Sequence, residues 1–168
     1  MKLWLPHSLF YLCAALFVAT TAFGQQANRG LDKQYHNYAE WTKGLFAEAV
    51  TVKQFGNGTL IYLGGIGAEE EKGKRGDIRS RGDISGQCNY TFEKIQRVLS
   101  YNNATLKDIV KMTSYLTSAG NIGGYIVCRN QQFQAAGASL PAETLVIISR
   151  LAWPNMLLEV DVDAISVK

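Results

Sequence analysis

The sequence predicts an α+β fold: one mixed sheet with two helices laid over one face, in the order β-β-α-β-α-β-β. Three observations point there. Two segments repeat apolar residues at steps of three and four, which is helical spacing. Five segments rich in Val, Ile, Leu, Tyr and Thr read as strands. Their order leaves both helices free to cover the same sheet face, which makes a two-layer sandwich rather than a parallel βαβ array.

The first strand is expected over Leu45–Phe55, closing at the turn Gly56-Asn57-Gly58. Thr59–Leu63 follows as its hairpin partner. Gly64-Gly65-Ile66-Gly67 ends that strand, and two adjacent glycines suggest a backbone that lies close to something. The dinucleotide-binding spacing is absent, so a phosphate loop is not supported. Glu69–Asp83 is dense in both charges and repeats an Arg-Gly-Asp tripeptide at Arg75–Asp77 and Arg81–Asp83. It reads as a solvated loop, with Asp83 placed to cap the helix that follows. That helix spans Ile84–Asn102, with Ile84, Cys88, Phe92, Ile95 and Leu99 in one stripe. Asp108–Leu116 is the third strand. Asn121–Ala136 is the second helix, burying Ile122, Tyr125, Ile126 and Phe133. Glu143–Leu151 and Leu157–Val167 are expected as a closing hairpin.

The 168 residues divide into three parts. Residues 1–24 have the order of a secretory signal: Lys2, an apolar run over Leu9–Ala19, then small residues to a cleavage point after Gly24. The run is too short to span a bilayer comfortably and no second one follows. The expectation is a protein exported to the periplasm or secreted, with no membrane segment once the signal is removed. Residues 25–44 form a polar arm carrying Tyr35, His36, Tyr38 and Trp41, expected to lie on the domain that fills 45–168.

Beyond the signal only Cys88 and Cys128 remain, either paired, as an oxidising compartment permits, or two buried thiols. With His36 as the one histidine left, no zinc-type cluster can be assembled. No metal or cofactor is expected. The net charge of +3 is scattered, which argues against nucleic acid as a partner.

Alternation places Glu143, Leu145, Ile147 and Ser149 on one side of their strand and Thr144, Val146, Ile148 and Arg150 on the other. Both sets are mainly apolar, as for a strand covered by helices on one side and a partner subunit on the other. In the last strand Glu159, Asp161 and Asp163 share a face opposite Val160, Val162 and Ala164. Taken alone, that row is a solvent-facing acidic stripe.

From Leu45 onward the chain resembles the Rid family, also called the endoribonuclease L-PSP family. The resemblance rests on Gly64, Ile66 and Gly67, on Asp83-Ile84, on Leu106–Lys111, on Pro141-Ala142 and on Glu159 after Trp153-Pro154. It implies a chorismate-mutase-like fold and a homotrimer that binds small molecules in clefts between subunits. In the deaminating members an arginine after Pro-Ala grips the substrate carboxylate and a later glutamate handles a water or proton. Here Glu143 stands at the arginine, Phe46 at a tyrosine, Leu63 at a serine and Ile126 at an asparagine, while Glu159 matches the glutamate. The expected pocket therefore has Glu143, Phe46, Leu63 and Ile126 as binding residues and has changed sign. It would favour a neutral or cationic ligand, with Glu159 as general acid or base facing Glu143 across an apolar cleft. Two functions follow: hydrolysis of a small imine or enamine lacking the usual carboxylate, or non-catalytic binding by a trimeric module. Ribonuclease activity rests on the older family name, and no basic groove supports it.

Overall fold

A computed structural model describes residues 32–43, 49–55 and 58–167. The expected signal segment, Phe46, the turn at Gly56-Asn57 and the start of the predicted first strand lie outside these residues. Six strands are described: β1 Asp32–His36, β2 Ala49–Phe55, β3 Gly58–Gly67, β4 Ile109–Leu116, β5 Ala142–Ile147 and β6 Leu158–Val167. Two helices join them, α1 Ile84–Tyr101 between β3 and β4 and α2 Ile122–Ala135 between β4 and β5. The sheet order is β1-β2-β3-β6-β4-β5.

The last strand is central. β6 runs antiparallel to both β3 and β4, so those two are parallel to each other across it, and β4 pairs directly with β5 in parallel. The expected closing hairpin is thus corrected: β5 and β6 are not neighbours. The reason lies in burial. Leu158, Val160, Val162 and Ala164 are all within 1% of complete burial, which an edge position cannot supply, whereas β5 pairs on one side only and keeps Ile147 exposed.

Both helices match their sequence-predicted spans to within one residue at each end. Asp83 caps α1, its carboxylate accepting the Ser85 N–H at 3.0 Å. The stripe of α1 packs with Tyr125 and Phe133 of α2 over Ile61, Leu63, Val160 and Val162, and the Phe92 and Phe133 rings meet edge to face at 5.9 Å. Cys88 and Cys128 are joined, tying α1 to α2 across 40 residues of chain. By the chain-entropy estimate such a loop contributes about 4 kcal/mol.

The segment expected as an arm adds an edge strand: β1 pairs antiparallel with β2. At its end, His36 bonds Thr51 at 3.1 Å. Tyr38 stacks on Tyr101 at 5.0 Å and accepts the Asn102 side-chain amide at 2.9 Å. No described helix is long and apolar enough to cross a membrane.

Candidate active site

The site begins at an irregularity in β3. Leu63 pairs with Val162 and Ile66 with Val160, so three steps along β3 match two along β6. This is a bulge, and it falls on Gly64-Gly65. It lets both Leu63 and Ile66 point into the core, while Gly65 and Gly67, lacking side chains, admit neighbouring groups close to the backbone. Glu159 lies over that bare backbone. A Cβ at Gly65 would sit 2.6 Å from Glu159 Cδ, and one at Gly67 would sit 3.0 Å from Glu69 Oε2. The glycines are the floor on which two carboxylates rest.

Around them is a cleft of about 260 Å³ lined by Trp41, Gly65, Glu69, Arg75, Trp153 and Glu159, with Ala152 at its side. Burial pushes the Glu159 carboxyl up to about 7, and the nearby Glu69 and Asp161 charges add to the rise against the pull of Lys94. Lys94 is itself buried. Its ammonium donates to Gly67 O and Glu69 O, each at 2.9 Å, and approaches Glu69 Oε2 at 3.4 Å. All three of its N–H groups are used.

The acidic row of β6 is not a uniform solvated stripe. Asp161 accepts the Tyr115 hydroxyl at 3.0 Å, a bond that holds the Tyr115 hydroxyl above its ordinary range. Burial, then the Asp161 charge, raise the Asp163 carboxyl while Lys111 opposes them. Glu159 alone turns over a glycine floor into a cleft.

The loop between β3 and α1, expected as solvated, is folded on itself. Glu70 N bonds Asp77 O and Asp77 N bonds Lys74 O, both at 2.9 Å. The Asp77 carboxylate accepts Lys74 N at 3.0 Å. Ile78 is buried with Ala68, Tyr90 and Met156 in a second small core. Gly76 takes φ +87° and lies under Trp153, whose Cε3 would be 3.2 Å from an added Cβ. The Arg75 guanidinium sits over that indole, 5.0 Å from its centroid, a contact contributing about 0.5–1 kcal/mol at an exposed site. Gln87, fully buried on α1, donates to Asn155 O at 2.7 Å and accepts Leu157 N at 2.8 Å, which pins the segment bearing Trp153.

Glu143, Leu63 and Ile126, also expected in the pocket, lie away from this cleft within the chain, and Phe46 is outside the described residues. Glu143 is in register with Met112 and shares the helix-covered face. Its carboxylate accepts Ser114 Oγ at 2.7 Å and the Tyr125 hydroxyl at 2.6 Å, and it pairs with Arg129 of α2. Burial, then the bond to Glu143, drive the Tyr125 hydroxyl well above its usual range. Glu143 and Glu159 therefore occupy opposite faces of the sheet within the chain and do not face each other there. Leu63 is 4% exposed inside the core and Ile126 packs against it, so neither lines the cleft of Glu159.

Sequence reasoning missed Lys94, Glu69, Arg75, Trp153 and Gln87. One signal was available: Gln87, Thr91, Lys94 and Val98 recur at steps of four, three and four, and all are buried. A lysine in such a row implies a buried counter-charge.

A two-layer α+β protein with a carboxylate cleft at a β-bulge is the class that fold and site define. The chain matches the family described as Endoribonuclease L-PSP over residues 42–166, and it belongs to that family. It is 30% identical over 118 residues to a RutC family protein of Pyrococcus abyssi (strain GE5 / Orsay), covering 70% of this chain and 84% of that one. Among solved structures it is similar to yeast Mmf1, with TM-score 0.66, 20% identity and coverage of 80% of this chain and 98% of that one. E. coli TdcF, solved with bound serine, is similar with TM-score 0.61 and 21% identity, covering 74% of this chain and 89% of that one. At these identities the structural likenesses bear on the fold.

Proposed function

We propose that the protein is an exported, homotrimeric hydrolase that deaminates small imines or enamines, with Glu159 as the proton-transferring group. One observation carries this: a half-buried glutamate held over a glycine floor, its carboxyl pushed up to about 7. A group poised near neutral pH can both give and take a proton. In acid form Glu159 protonates the imine nitrogen, or the carbon of an enamine. As carboxylate it takes a proton from the water that attacks the C=N carbon. The carbinolamine then collapses to a carbonyl compound and ammonia, so one water is consumed for each ammonia released.

The structure of TdcF with bound serine supports a ligand of amino-acid size. Homotrimers are typical of the family, and the sheet face away from the helices, with Tyr62 44% exposed, supports such packing. The signal-like first 24 residues and the Cys88–Cys128 disulfide support export. A preference for substrates without a carboxylate rested on Glu143 standing in the cleft; since Arg129 neutralises Glu143 on the other face, that restriction is not carried over. The second reading, a non-catalytic binding module, is favoured by the apolar Leu63 and Ile126 at positions where the family's site has polar groups.

Ammonia release from freshly generated imines separates the two. Glu159→Gln is expected to lower turnover by about 10²–10⁴-fold, the usual contribution of a positioned acid–base group. Turnover unchanged by this substitution would remove Glu159 from the mechanism.

A further inference from the structure

The charged loop between β3 and α1 carries three consecutive glutamates, and each is already matched to a cation. Lys94 holds Glu69, Arg79 grips Glu70 through two bonds of 2.7 and 2.8 Å, and Arg97 pairs with Glu71. Arg97 also takes Glu93. Arg75 differs: exposed on the loop, it pairs with no carboxylate among the described residues and lies against the indole of Trp153. Yet it is the arginine that lines the cleft of Glu159.

Its placement is built by the chain. The turn closed by Asp77 and the left-handed Gly76 set the backbone so that Trp153 lies beneath it. Gln87 fixes the segment that carries Trp153 from behind. One face of the guanidinium is thus laid on an aromatic ring, and its N–H edge is left for an acceptor. Among the described residues none supplies that acceptor. The charge opposing the rise at Glu159 is Lys94, so Arg75 is not the partner of Glu159.

We infer that Arg75 is the specificity-determining residue of this cleft and that the ligand carries a carboxylate, bound edge-on by the guanidinium with Trp153 as its backing. This rests on the Glu159 cleft being the ligand site. It reverses the preference for neutral or cationic ligands expected from Glu143, because the cation that meets the ligand comes from the loop rather than from β5. The Arg-Gly-Asp tripeptide at 75–77 thereby has an internal use: the arginine faces the cleft, the glycine admits the indole and the aspartate closes the turn.

The test uses three probes of one shape, propionate, propionamide and propylammonium, at constant ionic strength. The readout is the Trp153 indole N–H resonance, assigned by its loss in Trp153→Phe. Propionate is expected to shift it saturably while the other two do not. Arg75→Gln is expected to weaken propionate by about tenfold to a hundredfold, the range for a charge-assisted hydrogen bond, and Arg75→Lys to retain part of the affinity. An equal response to propionamide, a response to propylammonium alone, no saturable response, or unchanged affinity in Arg75→Gln would each overturn the inference. The two readings fail separately: ammonia release unchanged in Glu159→Gln removes the catalytic reading, whereas propionate affinity unchanged in Arg75→Gln removes this inference.

Discussion

Replacing Glu159 by Gln is expected to stabilise the protein at alkaline pH while abolishing its activity. Burial, Glu69 and Asp161 all disfavour the carboxylate, lifting its pKa from 4.5 to about 7. A folded-state pKa raised in an acid means that the native protein binds the proton more tightly than the unfolded chain. Stability from this residue is therefore greatest below about 4.5 and is lost as pH rises to about 7. At about 1.4 kcal/mol per unit the full shift is about 3 kcal/mol; solvent access to the half-buried side chain reduces this to about 1–2 kcal/mol. Glutamine keeps the shape without the charge. Near pH 4 the two proteins should melt together; near pH 8.5 the variant should melt about 3–6 °C higher, both compared at one protein concentration. Calorimetry across that range reads the difference. A gap that does not change with pH, or a variant that melts lower at alkaline pH, would refute the placement of Glu159 in a desolvated acidic cleft.

Two further outcomes follow from the site and the core. Gly65→Ala puts a Cβ 2.6 Å from Glu159 Cδ and must swing the carboxylate aside, costing about 1 kcal/mol in stability but about a hundredfold in ammonia release; wild-type activity in a folded Gly65→Ala protein would show that the position over the glycine does not matter. Breaking the Cys88–Cys128 link, by a reductant or by Cys128→Ser, is expected to lower urea-unfolding stability by about 2–4 kcal/mol while leaving propionate binding in the cleft unchanged; identical oxidised and reduced transitions would mean that the bond is not formed in solution.

Much of the fold was legible in the sequence, because helical stripes and period-two alternation are local properties. Both helices, the Asp83 cap and the shared face of Glu159, Asp161 and Asp163 followed from spacing alone. Alternation reports which side chains share a face, not which strand lies next door. That is why β6 was expected beside β5 when its burial demands the centre of the sheet. The same limit governs Glu143. Its grouping with Leu145 and Ile147 was readable, but only the register with Met112 decides that this group faces the helices. β1 was missed because an edge strand tolerates polar residues and shows no apolar signal. The cleft was half visible: the paired glycines 64 and 65 suggested a close approach, and the approaching group is the Glu159 carboxylate. Arg75 and Trp153 meet through a turn and a buried glutamine, contacts with no periodicity to reveal them.

The most direct test of Glu159 as the proton-transferring group is kcat/KM for ammonia release as a function of pH. With the carboxyl near 7 acting as the acid that protonates the substrate, the rate should fall as pH rises through about 7, and Glu159→Gln should lack that limb along with most of the activity. A profile with no limb near 7, or the same limb in Glu159→Gln, would contradict it.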